Sequence, residues 1–228
     1  MKNFNTNNVC LFLLIFCCIG NSFSQRNEKI NLAKAFNKKE LVLVNRTAQD
    51  FKDNTKEGIV LNENKGEGLV WLYGKAFSEG VIEIDLKGKD VFQKSFLGIA
   101  FHSQNDTVYE AVYFRPFNFH ATDPVRKIHA VQYINHPKDT WKKLRDEKNG
   151  QFEKAIVKAP NPNDWFHVRI EITAAKVNVF VNDNPIPDLS VSRLSSYANG
   201  KIGLFTGDDS GGSFANLVIK RKKKNILE

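Results

Sequence analysis

Hydrophobic and polar residues alternate with a period of two through much of this chain. In residues 80–88, Ile82, Ile84 and Leu86 alternate with Val81, Glu83 and Asp85. In residues 96–102, Leu97, Ile99 and Phe101 alternate with Phe96, Gly98, Ala100 and His102. In residues 109–115, Val112 and Phe114 fall opposite Tyr109, Ala111, Tyr113 and Arg115. Residues 165–172 set Phe166, Val168, Ile170 and Ile172 against Trp165, His167, Arg169 and Glu171, and residues 177–181 continue the pattern. Side chains on a strand point alternately to its two faces, so each stretch predicts a strand with one dry and one wet face. Shorter apolar runs at 41–44, 59–61, 69–73, 128–134, 200–205 and 214–219 predict further strands, and 152–157 an edge strand. Polar Asn-, Gly- and Asp-bearing turns separate them at 62–68, 87–90, 103–106 and 182–185. About a dozen short strands with hardly a helix predict an all-β sandwich or barrel.

Three stretches break the period. Residues 25–39 are polar with weak helical spacing at Ile30, Ala33 and Phe36, and read as a loose lead-in. Residues 117–125 read as a loop stopped by Pro124, and 136–150, rich in charge, as a loop with one or two helical turns. Neither an internal repeat nor a linker rich in Pro, Gly or Ser is present, so one domain is expected over 40–220.

The first 24 residues read as a signal peptide. Lys2 precedes an apolar run at 9–19 that is shorter than the roughly 20 residues of a membrane span, and Ser22 and Ser24 occupy the positions a signal peptidase reads. Cleavage is placed after Ser24, with a lipoprotein signal at Cys17 or Cys18 and a retained anchor as alternatives. Cys10, Cys17 and Cys18 all lie in this segment, so the mature chain has neither a disulfide framework nor a thiolate site. The expected destination is secreted or periplasmic, with no membrane span in the mature chain.

Net charge is +8, and residues 220–224 form a basic run followed by a tail to residue 228. Such a run is either a solvated end or a contact to an anionic polymer. For an exported protein a polysaccharide ranks before nucleic acid.

The quoted strands, above all Gly80-Val-Ile-Glu-Ile-Asp-Leu86, Phe96-Leu-Gly-Ile-Ala-Phe101, Trp165-Phe-His-Val-Arg-Ile170, Gly200-Lys-Ile-Gly-Leu-Phe205 and Phe214-Ala-Asn-Leu217, come in an order that resembles the concanavalin A-like lectin/glucanase superfamily. That superfamily includes laminin-G-like modules, legume-type lectins, family 16 glucanases and 3-keto-disaccharide hydrolase-like domains. The resemblance implies a jelly-roll β-sandwich of two curved antiparallel sheets with a glycan on the concave sheet. It does not fix an activity.

Several groups are candidates for the chemistry. Glu83 and Asp85 project from one strand face roughly 7 Å apart. A retaining glycosidase needs two carboxyls about 5–5.5 Å apart. Family 16 glucanases present Glu-x-Asp-x-x-Glu; Glu83 and Asp85 match the first two positions, but Gly88, or Lys89 in a bulged variant, stands where the acid/base belongs. The alternative for both acids is pairing with Lys or Arg on neighbouring strands.

His102, Tyr109, Tyr113 and Arg115 form a second set: rings that stack on sugars and a fork that grips carboxylate or sulfate. Alternatively the tyrosines pack under the long loop and Arg115 pairs with Glu83 or Asp85. Gln132, His136, Trp141 and Arg145 form a third set, with Trp141 and Arg145 on one face of a helical turn, as a lid or as a pin for the loop. For metal, the resemblance raises calcium, with Asp208 and Asp209 as candidates, although Ala215 stands where an Asp would ligate.

The expectation is an exported carbohydrate-binding protein for a polysaccharide or oligosaccharide, with an anionic one included. The first alternative is a glycoside hydrolase or lyase-type enzyme using Glu83 or Asp85 with Tyr113, His102 or Glu110 as proton donor. The second is a cell-surface or protein interaction module.

Overall fold

A computed structural model describes residues 26–222. The segment read as a signal peptide, the cleavage expected after Ser24, all three cysteines and the tail beyond Lys222 lie outside the described residues. The chain opens with β1 (Arg26–Ile30), α1 (Leu32–Asn37), β2 (Leu41–Val44), β3 (Ala48–Lys52), β4 (Glu57–Leu61), β5 (Gly68–Phe77) and β6 (Gly80–Lys87). It continues through β7 (Leu97–Asn105), β8 (Val108–Phe114), α2 (Pro124–Lys127), β9 (Val131–His136), α3 (Trp141–Glu147) and β10 (Glu153–Lys154). It closes with β11 (Phe166–Ile172), β12 (Lys176–Val181), β13 (Leu189–Ser192), β14 (Gly200–Thr206) and β15 (Gly212–Arg221).

Two antiparallel sheets result. One has the order β13-β12-β11-β6-β15-β4-β3, with β1 also on β15; the other has the order β10-β9-β8-β7-β14-β5-β2. The alternation dictates which side each residue takes. Ile82, Ile84, Leu86, Phe166, Val168 and Ile170 bury the inner face of the first sheet. Leu97, Ile99, Val112, Phe114 and Leu204 bury that of the second. Phe114 and Phe166 meet edge to face across the gap, ring centroids 5.3 Å apart. This is the jelly-roll sandwich that the strand pattern and the resemblance predict.

Both ends of the domain are more ordered than the polar composition suggests. The lead-in at 25–39 is not loose. β1 adds to the edge of β15, and α1, capped by the Asn31 side chain on the Lys34 amide, buries Leu32, Ala33 and Ala35. The weak helical spacing at Ala33 and Phe36 belongs to this helix, while Ile30 ends β1. The start of the basic run also belongs to the sheet. Lys220 meets Glu83 at 2.7 Å, Arg221 meets Glu28 at 2.5 Å and Lys222 meets Glu79 at 3.4 Å.

A bulge changes one register. β7 and β8 shift between Phe101 and Asn105, and His102 takes a left-handed backbone with φ 50°. Strict alternation would have put His102 on the wet face. Instead its ring is fully buried, with Nδ1 2.8 Å from Glu110 Oε1 and Nε2 2.6 Å from Ser78 O. Glu110 also accepts from Arg193 at 2.6 Å and from the Tyr133 hydroxyl. Burial would raise this carboxyl, but the hydrogen bonds from His102, Arg193 and Tyr133 together hold it below the usual range.

Glu83 and Asp85 stand on the outward face of the other sheet, away from β8. Asp85 accepts from His167 at 2.7 Å, Lys56 at 2.6 Å and Asn216 at 2.7 Å. Burial opposes ionisation, yet these three bonds outweigh it and lower Asp85 from 3.8 to about 2. A depressed carboxylate adds stability above its ordinary value, lost as pH falls through the folded one. We therefore expect Asp85→Asn to lose about 2 kcal/mol of unfolding free energy at neutral pH. In denaturant titrations the gap to the native chain should close between pH 3.8 and about 2.

Candidate functional site

The outer face of the seven-stranded sheet carries the site. β8 presents Tyr109, Ala111 and Tyr113 there; β9 presents Gln132, Ile134 and His136; β7 presents Gly98 and Ala100; β14 presents Gly203 and Phe205. Gly98 and Gly203 are small for a steric reason. A Cβ on either would fall about 2 Å from a neighbouring carbonyl oxygen, 2.0 Å at Gly98 and 2.2 Å at Gly203. The space above Gly98 is taken by rings. Phe205 lies 5.3 Å from Tyr113 and 6.2 Å from Tyr109, and Phe96 lies 6.3 Å from Tyr113.

Above these rings a cavity of about 440 Å³ opens, lined by Tyr113, Arg115, Phe96, Phe205, Trp141 and Arg145 together with Glu67, Phe92, Arg126, His129 and Asp208. Two arginine–aromatic stacks flank it. The Arg145 guanidinium lies 5.2 Å from the Trp141 ring, which is 45% exposed, and that of Arg126 lies 4.6 Å from Phe92, which is 56% exposed.

Fixed polar groups hold one end. The Tyr113 hydroxyl donates to Gln132 Oε1 at 2.8 Å and accepts from Arg115 Nη2 at 2.7 Å; Arg115 also donates to Gln132 Oε1 and, at 3.0 Å, to His129 O. Gln132 Nε2 donates to Trp141 O at 3.4 Å. Thr140 caps α3, which places Trp141 and Arg145 on one face. Arg145 then grips Glu153 of β10 with both arms, at 3.0 and 2.7 Å, while Arg115 approaches the same carboxylate at 3.6 Å and His129 Nδ1 at 2.8 Å. Beyond this contact with Glu153, the buried His129 Nδ1 has no partner among the described residues. Burial pushes Tyr113 up to about 12, so it stays a hydroxyl, and lowers His129, favouring neutral imidazole. At the other end the Tyr109 hydroxyl donates to Glu67, and the Gly66 amide donates to Asp208 at 2.6 Å.

The structure thus brings Tyr113, Arg115, Gln132, Trp141 and Arg145 together, with Tyr109 in the floor beside them. It does not bring Glu83, Asp85 or His102 to them. Those three stand on the far sheet or between the sheets, so the catalytic scheme that pairs Glu83 or Asp85 with Tyr113, His102 or Glu110 is not assembled. Arg115 pairs with neither Glu83 nor Asp85. Glu67, Glu153, Arg126 and His129 were not among the sequence candidates. Glu153 sits in an unremarkable charged stretch, and no local pattern marks it.

Asp208 and Asp209, the calcium candidates, flank an internal cation. The buried Arg46 guanidinium donates to the carbonyls of Asn45, Gly66, Gly207 and Ser210 at 2.6 to 3.1 Å. Those carbonyls are therefore taken by a side chain. No group of three or more His, Cys, Asp or Glu able to hold a metal occurs among the described residues.

The two sheets form a concanavalin A-like jelly-roll sandwich with a cavity on the outer face of one of them. The chain belongs to the 3-keto-alpha-glucoside-1,2-lyase-like domain family, whose model matches residues 31–220. No protein of curated function matches it. Among solved structures it is similar to the carbohydrate binding module CBM66 from Bacillus subtilis, with TM-score 0.56, 16% identity, and 79% of this chain and 95% of that one covered. A Bacillus subtilis protein with a galectin-like fold has TM-score 0.56, 11% identity and coverage of 86% and 96%. A glycoside hydrolase family 16 endo-glucanase from Bacteroides ovatus has TM-score 0.54, 12% identity and coverage of 84% and 98%. At these identities the likeness is one of fold.

Removing the shared carboxylate should expose its structural weight. Glu153→Gln leaves the buried Arg115 without a counter-charge and is expected to cost about 3 kcal/mol in denaturant unfolding. Substitution of the exposed Lys142, on the same helix, should change stability by less than about 0.5 kcal/mol.

Proposed function

We propose that this chain binds a glycan in the cavity over Tyr113 and acts in glycan capture or degradation outside the cytoplasm. The observation that carries this reading is the cavity itself: aromatic rings below, an exposed Trp141 at the rim, and hydrogen-bonding groups held rigidly between them. Rings stack on the apolar faces of sugars while fixed donors and acceptors meet their hydroxyls. The solved relatives of this fold are named as a carbohydrate binding module and an endo-glucanase, which supports the same ligand class. The apolar run before Ser24 supports export. Calorimetric titration with neutral and acidic oligosaccharides should detect binding, weakened roughly tenfold by Trp141→Ala. Absence of binding across the panel would remove the support for this reading.

A second reading is a lyase acting on a 3-keto-glucoside, favoured by the family match and by the neutral His129 beside Glu153. In such a step His129 takes the proton from C2 of the keto sugar. The C–H electrons pass into an enolate on the C3 oxygen, and their return expels the C1 substituent with its bonding pair. Arginine forks face the developing charge. His129→Gln should then lower release of the aglycone from a 3-keto-glucoside by about 100-fold with binding retained. Because burial lowers its pKa, the basic limb of activity should persist below the ordinary histidine value of 6.5. Unaltered release would exclude His129 as the base.

A further inference from the structure

We propose that the Arg115 end of the cavity is a subsite for an anionic substituent of the bound sugar, a uronate carboxylate or a sulfate ester. The proposal rests on the glycan-binding reading and specifies its substrate class. Its ground is a charge imbalance inside the fold. Arg115 is only 4% exposed, and its nearest carboxylate oxygen, Glu153 Oε2 at 3.6 Å, already accepts from Arg145 at 2.7 Å. Two guanidiniums therefore share one negative charge. A third cation stands beside them. Arg126 donates to Phe117 O at 2.8 Å and Asn118 Oδ1 at 3.3 Å, and has no carboxylate partner among the described residues. Asn118 links it to Arg115, since Asn118 Nδ2 and Arg115 Nη1 both donate to His129 O.

The acids of the cavity do not offset this. Glu67 accepts from Tyr109 and faces His136 at 3.9 Å, and Asp208 is tied to the Gly66 amide and lies beside the buried Arg46, so neither makes an ion pair with Arg115, Arg126 or Arg145 among the described residues. The cavity therefore has a basic end and an acidic end. Excess positive charge held out of water is costly unless an anion meets it. A guanidinium fork matches the two oxygens of a carboxylate or sulfate. An acidic sugar with its ring on the aromatic floor and its anion toward Arg126 meets both demands.

The test uses the mature chain, titrated calorimetrically with α- and β-linked gluco-oligosaccharides, their C6-carboxylate counterparts and their 6-sulfates. Acidic probes should bind roughly tenfold tighter than the neutral ones at low salt, with the preference shrinking as salt is added. Arg126→Gln, at a partly exposed position on a short helix, should bring the ratio of acidic to neutral affinity close to one. Tight binding of only the carboxylates or only the sulfates would identify which anion the subsite takes. Neutral binding without an acidic preference, or a preference that survives Arg126→Gln, would overturn the subsite and leave glycan binding standing. No binding of any probe would overturn both.

Discussion

Glu153 holds two guanidinium groups and an imidazole around a single carboxylate. Arg145 comes from α3, Arg115 from the end of β8 and His129 from the approach to β9, so three separate segments converge on one two-residue edge strand. The long excursion between β9 and β10 is fastened to the sheet by this contact. With it come Trp141 at the rim and Gln132 beneath. Ionic hydrogen bonds between buried groups are directional, so they fix the positions of these side chains as well as the loop. The same economy of charge leaves the cavity basic at one end.

Elsewhere the sandwich is braced in the same manner. Arg46 ties four carbonyls from the loops around Gly66 and Gly207, and so positions Glu67 and Asp208 at the acidic end. Glu110, between the sheets, gathers His102, Tyr133 and Arg193 from strands and a crossover that share no sequence neighbourhood. Each is a buried ion with its hydrogen bonds satisfied, a condition for such a group to remain inside. Together they hold the loops around an outer face that is otherwise built from aromatic rings and small residues.

Much of this was legible in the chain. The alternation of Ile82, Ile84 and Leu86, or of Phe166, Val168 and Ile170, assigns strands and their inner faces, because a half-buried strand leaves no other arrangement. The wet face of β8 was read from Tyr109, Tyr113 and Arg115, and Trp141 and Arg145 from their helical spacing; the structure sets Tyr113, Arg115, Trp141 and Arg145 against the same cavity, with Tyr109 tied to Glu67, another of its lining residues. What escaped were features without local periodicity. His102 sits on a bulge that resets the alternation, and Glu67, Arg126 and Glu153 are ordinary surface letters until folding surrounds them.

The sequence by itself determined the class of fold and the face that each central strand turns to the core, since period-two hydrophobicity is a local consequence of strand geometry. It could not say which strands lie on the same sheet. Glu83 and Tyr113 both occupy wet positions of neighbouring stretches, yet β6 joins β11 and β15 while β8 joins β7 and β9. That partition is a matter of long-range pairing. It placed Asp85 with Lys56 and His167 on the outer side of the other sheet, His102 between the sheets, and Arg115 with Glu153 beside the cavity.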